Sequence, residues 1–157
     1  MTGIGSAAGA YPVSVTADPT TQAGASGERR RSKQTLRILL VDDDRDTVGL
    51  LSIVLRDEGH VVLGVYNGKE VLPAARIFRP DAIIADLSVP GMSGYAVAQQ
   101  IRNTFTDARR PLLIAISGMW KEPSDRMVAQ QVGFDHHLLK PCDTAELLAL
   151  LQPLRRA

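Results

Sequence analysis

Six residues of this chain have types and positions that could do chemistry together. Asp42, Asp43 and Asp44 follow one short apolar run, Asp86 follows a second, Ser117 a third and Lys140 a fourth. If the first two runs are neighbouring strands, Asp42, Asp43 and Asp86 converge, and like charges at short range disfavour joint ionisation. A hard divalent cation relieves that repulsion. Mg²⁺ is the natural one, because it accepts carboxylates, keeps some waters and takes a substrate phosphate oxygen. Ser88, two residues past Asp86, offers a backbone carbonyl as a further ligand. Lys140 supplies a positive charge for an incoming anion, and Ser117 a hydrogen-bond donor. A carboxylate nucleophile, a metal, an ammonium and a hydroxyl describe phosphoryl transfer to an aspartate.

Those residues need a scaffold that brings four run ends to one place. Leu36 to Val41, Val61 to Val65, Ala82 to Ala85, Pro111 to Ile116 and His137 to Leu139 read as short strands, mostly continuous in apolar character. Between them lie segments with helical spacing: Thr47 to Leu55, Lys69 to Phe78, Tyr95 to Arg102, Ser124 to Gln131 and Thr144 to Leu151. Val48, Leu51 and Leu55 mark one helix face, which Gly59 closes. Pro80 stops the second helix and Gly133 the fourth, and Pro153 follows the fifth. Asp143 and Glu146 have capping-box spacing at the start of the fifth. Strict alternation of apolar strands with helices predicts an α/β fold: a doubly wound, five-stranded parallel sheet covered on both faces. Such sheets carry their site at the carboxyl ends of the strands, near a topological switch point.

Composition sets the outer bounds. The chain has 157 residues, 18 Lys and Arg against 17 Asp and Glu, and a net charge of +1. That balance argues against a basic nucleic-acid binder or a membrane-surface protein. No apolar run is long enough to span a bilayer, and the N-terminus does not read as a secretory signal. The single cysteine, Cys142, excludes an internal disulfide framework. A cytoplasmic location is the expectation. Residues 1–35 are rich in Gly, Ala, Ser, Thr and Pro and nearly devoid of large apolar side chains, so they read as a disordered tail. The tail ends in Arg29, Arg30, Arg31 and Lys33, which read as a solvated boundary in preference to a dock for an acidic partner. Gly3 to Gly9 looks like a phosphate-binding glycine loop, but no strand precedes it and its last spacing is wrong.

Four ordered stretches carry a family resemblance. They are Ile38-Leu39-Leu40-Val41-Asp42-Asp43-Asp44, then Pro80 to Gly94 with Asp86-Leu87-Ser88-Val89-Pro90-Gly91 at its centre, then Ile116-Ser117-Gly118, and finally Gly133-Phe134-Asp135-His136-His137-Leu138-Leu139-Lys140-Pro141. Residues 36–153 resemble the receiver domain of two-component response regulators, which places the domain in 36–157. The resemblance implies a flavodoxin-like sheet of strand order 2-1-3-4-5. It implies Asp86 as phosphoacceptor, and Mg²⁺ held by Asp42, Asp43, Asp86 and the carbonyl of Ser88. Ser117 and Lys140 would hold the phosphoryl group, and Gly118 would keep access open. A switch side chain three residues before the lysine would be His137. The partners implied are a histidine kinase or a histidine phosphotransfer protein, with a downstream protein of unspecified kind. No direct contact with nucleic acid and no membrane insertion are expected. Only a few residues follow the fifth helix, so the reading is a stand-alone regulator, a phosphorelay intermediate or a receiver from a hybrid kinase. The His-His-Leu-Leu-Lys-Pro stretch resembles the last of these.

Departures from the family pattern are small. Ser117 stands where threonine is commoner, His137 where Tyr or Phe is, and Val89 where methionine is. A titratable residue at 137 would make switching depend on pH near neutrality. Two other classes compete. One is a receiver-like scaffold that works without phosphorylation, which the intact acidic, hydroxyl and lysine set argues against. The other is a phosphatase with an aspartyl nucleophile. Such enzymes usually carry a second acid two residues later, where this chain has Ser88, so no turnover of an external substrate is expected. Blander readings cover the rest. Asp44 reads as a helix N-terminal residue, Asp81 as a turn, His60 and His136 as surface or packing residues, and Cys142 as an apolar filler.

Overall fold

The computed structural model describes residues 34–118 and 123–156. The tail expected over 1–35 lies outside them apart from Gln34 and Thr35, as does Trp120. Five strands alternate with five helices: β1 (Arg37–Val41), α1 (Arg45–Asp57), β2 (Val61–Val65), α2 (Val71–Phe78), β3 (Ala82–Asp86), α3 (Gly94–Thr104), β4 (Leu112–Ser117), α4 (Pro123–Val132), β5 (His136–Leu139) and α5 (Thr144–Leu151). Every strand pairing is parallel, in the order β2-β1-β3-β4-β5. The chain thus leaves β1 first toward one edge and then toward the other, and the switch point lies between β1 and β3.

Alternation within the strands builds two cores. Leu39, Val41, Ile83, Ala85, Leu113 and Ala115 face α2, α3 and α4 through Ala75, Val97, Ile101 and Ala129. Ile38, Leu40, Ile84, Ile114 and Ile116 face α1 and α5 through Val48, Leu51, Leu55, Leu147 and Leu151. All five residues of β3 are buried, as a strand covered on both faces requires. Burial of each such leucine or isoleucine contributes about 2 kcal/mol.

The helix ends follow local chemistry. Asp44 caps α1, its carboxylate accepting from the Asp46 N–H at 3.0 Å and the Thr47 hydroxyl at 2.9 Å. Asp143 caps α5 by accepting from Ala145 and Glu146 N–H. Gly59 and Gly133 end α1 and α4 with positive φ, +91° and +116°. The paired bonds Gly133 N–H to Gln130 and Phe134 N–H to Ala129 reclaim carbonyls that the helix would leave unpaired. Most boundaries differ from the expected ones by one or two residues, so that Asp86 and Ser117 close β3 and β4 and do not follow them. Two differences have a clear local cause. Asp44 and its cap start α1 two residues before Thr47, because the polar cap and not the first apolar residue sets the start. Residues Gly68–Glu70 form a separate 3₁₀ turn ahead of α2, capped by the Asn67 side chain.

Candidate functional site at the carboxyl edge of the sheet

Parallel pairing puts every strand's carboxyl end on one edge. The ladder continues one residue beyond the strands there: Asp42 N–H donates to Val65, Leu87 N–H to Ile116 and Lys140 N–H to Ser117. Asp42, Asp86, Ser117 and Lys140 are therefore fixed by main-chain bonds before their side chains make any contact. The Lys140–Pro141 bond is cis.

Lys140 joins the two buried carboxylates. Its Nζ donates to Asp86 Oδ2 at 2.7 Å and to Asp42 Oδ2 at 2.9 Å. The other oxygens are held by backbone: Asp44 N–H donates to Asp42 Oδ1 and Ser88 N–H to Asp86 Oδ1, each at 2.9 Å. Asp42 and Asp86 are only 6% exposed, whereas Asp43 faces solvent. Ligand oxygens of Asp42, Asp43 and Asp86 all lie within 4.8 Å of one another. A compact set of hard carboxylate oxygens fits Mg²⁺.

The electrostatics are unequal across the cluster. Burial raises the Asp42 carboxyl above its ordinary range, although the Asp44 N–H and the Lys140 ammonium pull the other way. For Lys140, burial works against the charged form, but hydrogen bonds to Asp86 and Asp42 outweigh it and the pKa rises. The ammonium thus stays charged while one of its carboxylate partners is held at a cost. Burying charges that are only partly compensated is expensive, and a multivalent cation or an anion drawn to the ammonium redistributes that cost.

The remaining expected residues fall around this cluster. Ser117 is buried at the end of β4, beside Leu139 in the register. His137 pairs with Ala115 and stands edge-on to Phe134, ring centroids 6.3 Å apart. Ser88 is exposed just past Asp86. Among the described residues, a side-chain methyl at Gly118 would meet only the Lys140 Cβ, at 3.9 Å, so none of these residues demands glycine there by crowding. Asp44 caps α1 and stays outside the carboxylate cluster, and Asp86 does not cap α3, whose N-cap is Ser93. Asp81 accepts from Arg37 N–H in the turn before β3, at the opposite edge. His60 is a packing residue, its Nδ1 accepting from Leu36 N–H. Cys142 packs half-buried against the α1/α5 core, and burial, with the nearby acids Glu146 and Asp143, raises its thiol pKa.

Sequence reading missed one feature of the site. A groove of about 660 Å³ runs beside Lys140 between α1 and the loop after β5, lined by Leu50, Ile53, Val54, Pro141 and Cys142. Leu50 and Ile53 are 68% and 58% exposed. Their signal was present: both are apolar residues lying off the Val48–Leu51–Leu55 stripe.

Residues 38–152 match the family model described as the response regulator receiver domain. The chain belongs to the response regulator receiver family. This receiver is 36% identical over 115 residues to a 14.6 kDa protein of Leptolyngbya boryana, covering 73% of this chain and 86% of that one. It is 35% identical over 121 residues to the DNA-binding response regulator MtrA of Mycolicibacterium paratuberculosis, covering 76% of this chain and 52% of the relative. It therefore spans about half the length of that regulator. Among solved structures, a putative response regulator from Chloroflexus aurantiacus superposes with TM-score 0.70 at 25% identity, covering 79% of this chain and all of that one. The receiver domain of the Pseudomonas aeruginosa sensor histidine kinase PA1611 superposes with TM-score 0.68 at 31% identity, covering 79% and 100%. That structure has a magnesium ion coordinated in its active site cleft. Among the described residues of the present receiver, no helix is long and apolar enough to cross a membrane.

Proposed function

We propose that this receiver takes a phosphoryl group onto Asp86 from the phosphohistidine of a histidine kinase or histidine phosphotransfer protein. One observation carries the reading: the Lys140 ammonium bridges Asp86 and Asp42 at the rim of the three-carboxylate cluster. In the transfer, a carboxylate oxygen of Asp86 forms a bond to phosphorus as the phosphorus–nitrogen bond breaks. The electron pair of that bond leaves with the imidazole, which keeps or regains a proton on its nitrogen. Lys140 exchanges a carboxylate partner for a phosphoryl oxygen, and the Ser117 hydroxyl donates to another. Asp42, Asp43, Asp86 and the Ser88 carbonyl would hold Mg²⁺. When bound, the ion would neutralise charge on the phosphoryl oxygens.

The new group biases a two-state equilibrium. Ser117 and His137 would carry that change along β4 and β5 to the surface around α4 and α5, where a downstream protein reads it. The exposed Leu50 and Ile53 beside the site suit an apolar face of the phosphodonor partner. Similarity to the receiver of a sensor histidine kinase supports a place in a phosphorelay. The near-neutral charge supports neither a nucleic-acid partner nor a membrane one. Ser88, standing where a second acid would be needed, supports signalling over turnover of an outside substrate.

The test is intact mass after mixing with Mg²⁺ and acetyl phosphate or a phosphorylated phosphotransfer protein, with Trp120 fluorescence read in parallel. The expected result is one added phosphoryl group that requires Mg²⁺ and is lost in Asp86→Asn. No adduct from either donor, together with no Mg²⁺ binding, would replace this reading with a phosphorylation-independent scaffold. Steady phosphate release from a small phosphoester would replace it with a phosphatase.

A further inference from the structure

The described arginines divide into two groups. Arg37, Arg56, Arg102 and Arg155 donate to backbone carbonyls, Arg110 pairs with Asp135, and Arg45 lies over the Tyr66 ring. Among the arginines whose side chains are described, Arg76, Arg79 and Arg109 alone make no side-chain hydrogen bond, ion pair or ring contact. All three line one open pocket of about 640 Å³, between the end of α2 and the loop from α3 to β4. Two of them sit at the C-terminal end of α2, where its dipole favours cations, but Arg109 belongs to a different element. Asp81 and Asp107 also line the pocket, and each already has a carboxylate oxygen bound by a backbone N–H, from Arg37 and Arg109 respectively. Arg79 itself adopts the left-handed region, φ 52°, where a glycine would fit with less strain.

We propose that this pocket binds a small organic phosphomonoester. The phosphate would lie on the guanidinium groups of Arg76, Arg79 and Arg109, and the organic part against Phe105 and Pro80. A guanidinium presents a planar fork that matches phosphate oxygens two at a time. The volume suits a nucleotide-sized ligand, and a concave site favours such a ligand over an acidic peptide laid on a flat stripe. The pocket is at the amino edge of the sheet, opposite Asp86, so the proposal does not rest on the phosphoacceptor reading.

AMP and inorganic phosphate are the probes, titrated into the full ¹⁵N-labelled chain without Mg²⁺ and followed by amide chemical shifts. AMP should give saturable shifts at Arg79, Asp81, Asp107 and Arg109 while Asp86 and Lys140 stay in place. Arg79→Gln and Arg109→Gln should each weaken binding by about tenfold or more. Inorganic phosphate should bind the same amides less tightly than AMP. Absence of saturation up to about 10 mM AMP overturns the proposal, as does unchanged binding in the triple variant Arg76→Gln/Arg79→Gln/Arg109→Gln. Equal binding of phosphate and AMP overturns its organic half.

Discussion

The two edges of the sheet use charge in opposite ways. At the amino edge, Arg102 and Arg155 hold backbone carbonyls. Arg102 donates to Gly133 and Pro111 carbonyls and pairs with Asp135 at 2.7 Å, while Asp135 also accepts from Leu113 N–H. Arg155 reaches the carbonyls of Gln34 and Glu58, holding the first described residues against the turn after α1. Such contacts lock these loops by giving each guanidinium a carbonyl or carboxylate partner, in contrast to the unpartnered arginines of the nearby pocket. At the carboxyl edge, two buried carboxylates face each other across one lysine, with a third acid alongside. Stability there depends on buried charges that face one another, an arrangement that the proposed metal ion and phosphoryl group would rearrange. One edge is built to hold still and the other to respond.

Breaking the locked edge should have the largest effect. Arg102→Met keeps much of the side-chain stem but strands two carbonyls and a carboxylate, so it should lower unfolding free energy by about 3 kcal/mol in urea titration. A loss below about 1 kcal/mol would mean that this edge is looser than its contacts imply. Next comes Lys140→Ala, which leaves Asp42 and Asp86 buried without their cation and should cost about 2 kcal/mol. Adding Asp42→Asn should recover most of that loss, because it removes one of the two facing carboxylates. If the double variant is no more stable than the single one, mutual repulsion is not what Lys140 relieves.

The third prediction concerns pH. Burial, and then the charge of Arg155, lower the His60 pKa below its ordinary value of 6.5. The unfolded chain therefore binds more protons than the folded one just below that value. Stability from His60 is complete above pH 6.5 and is lost as pH falls toward the folded pKa. The slope of unfolding free energy against pH should stay below about 1.4 kcal/mol per unit for this one group. His60→Gln should flatten the slope between about pH 7 and 5, whereas a slope identical to wild type would assign the effect elsewhere. The smallest effect is expected at Gly118→Ala, within about 0.5 kcal/mol of wild type. Among the described residues, its added methyl meets only an ordinary contact with Lys140. A clear drop in the rate of phosphorylation by acetyl phosphate, at unchanged stability, would show that access and not packing favours glycine.

Much of the responsive edge was legible in the residues themselves. A carboxylate or lysine immediately after an apolar run is a local pattern, and parallel alternation forces all run ends to one edge. The locked edge was not legible. Arg102 and Gly133 are 31 residues apart, and Arg155 and Gln34 are 121 apart. Nothing in the spacing of an arginine states which distant carbonyl it will reach. The burial of His60 was hidden for the same reason, since its acceptor role depends on Leu36 across the β1–β2 pairing.

The sequence by itself determined the elements, their alternation, the caps at Asp44 and Asp143, and the edge on which Asp42, Asp86, Ser117 and Lys140 meet. These follow from period, propensity and capping, all of which act within a few residues. Only the tertiary structure decided which oxygens Lys140 bridges, that Asp43 stays exposed while Asp42 is buried, and which three arginines are left to share a pocket. Those outcomes depend on the packing of helices on two sheet faces. Packing sets burial and long-range pairing through the whole chain at once, beyond any local stretch of residues.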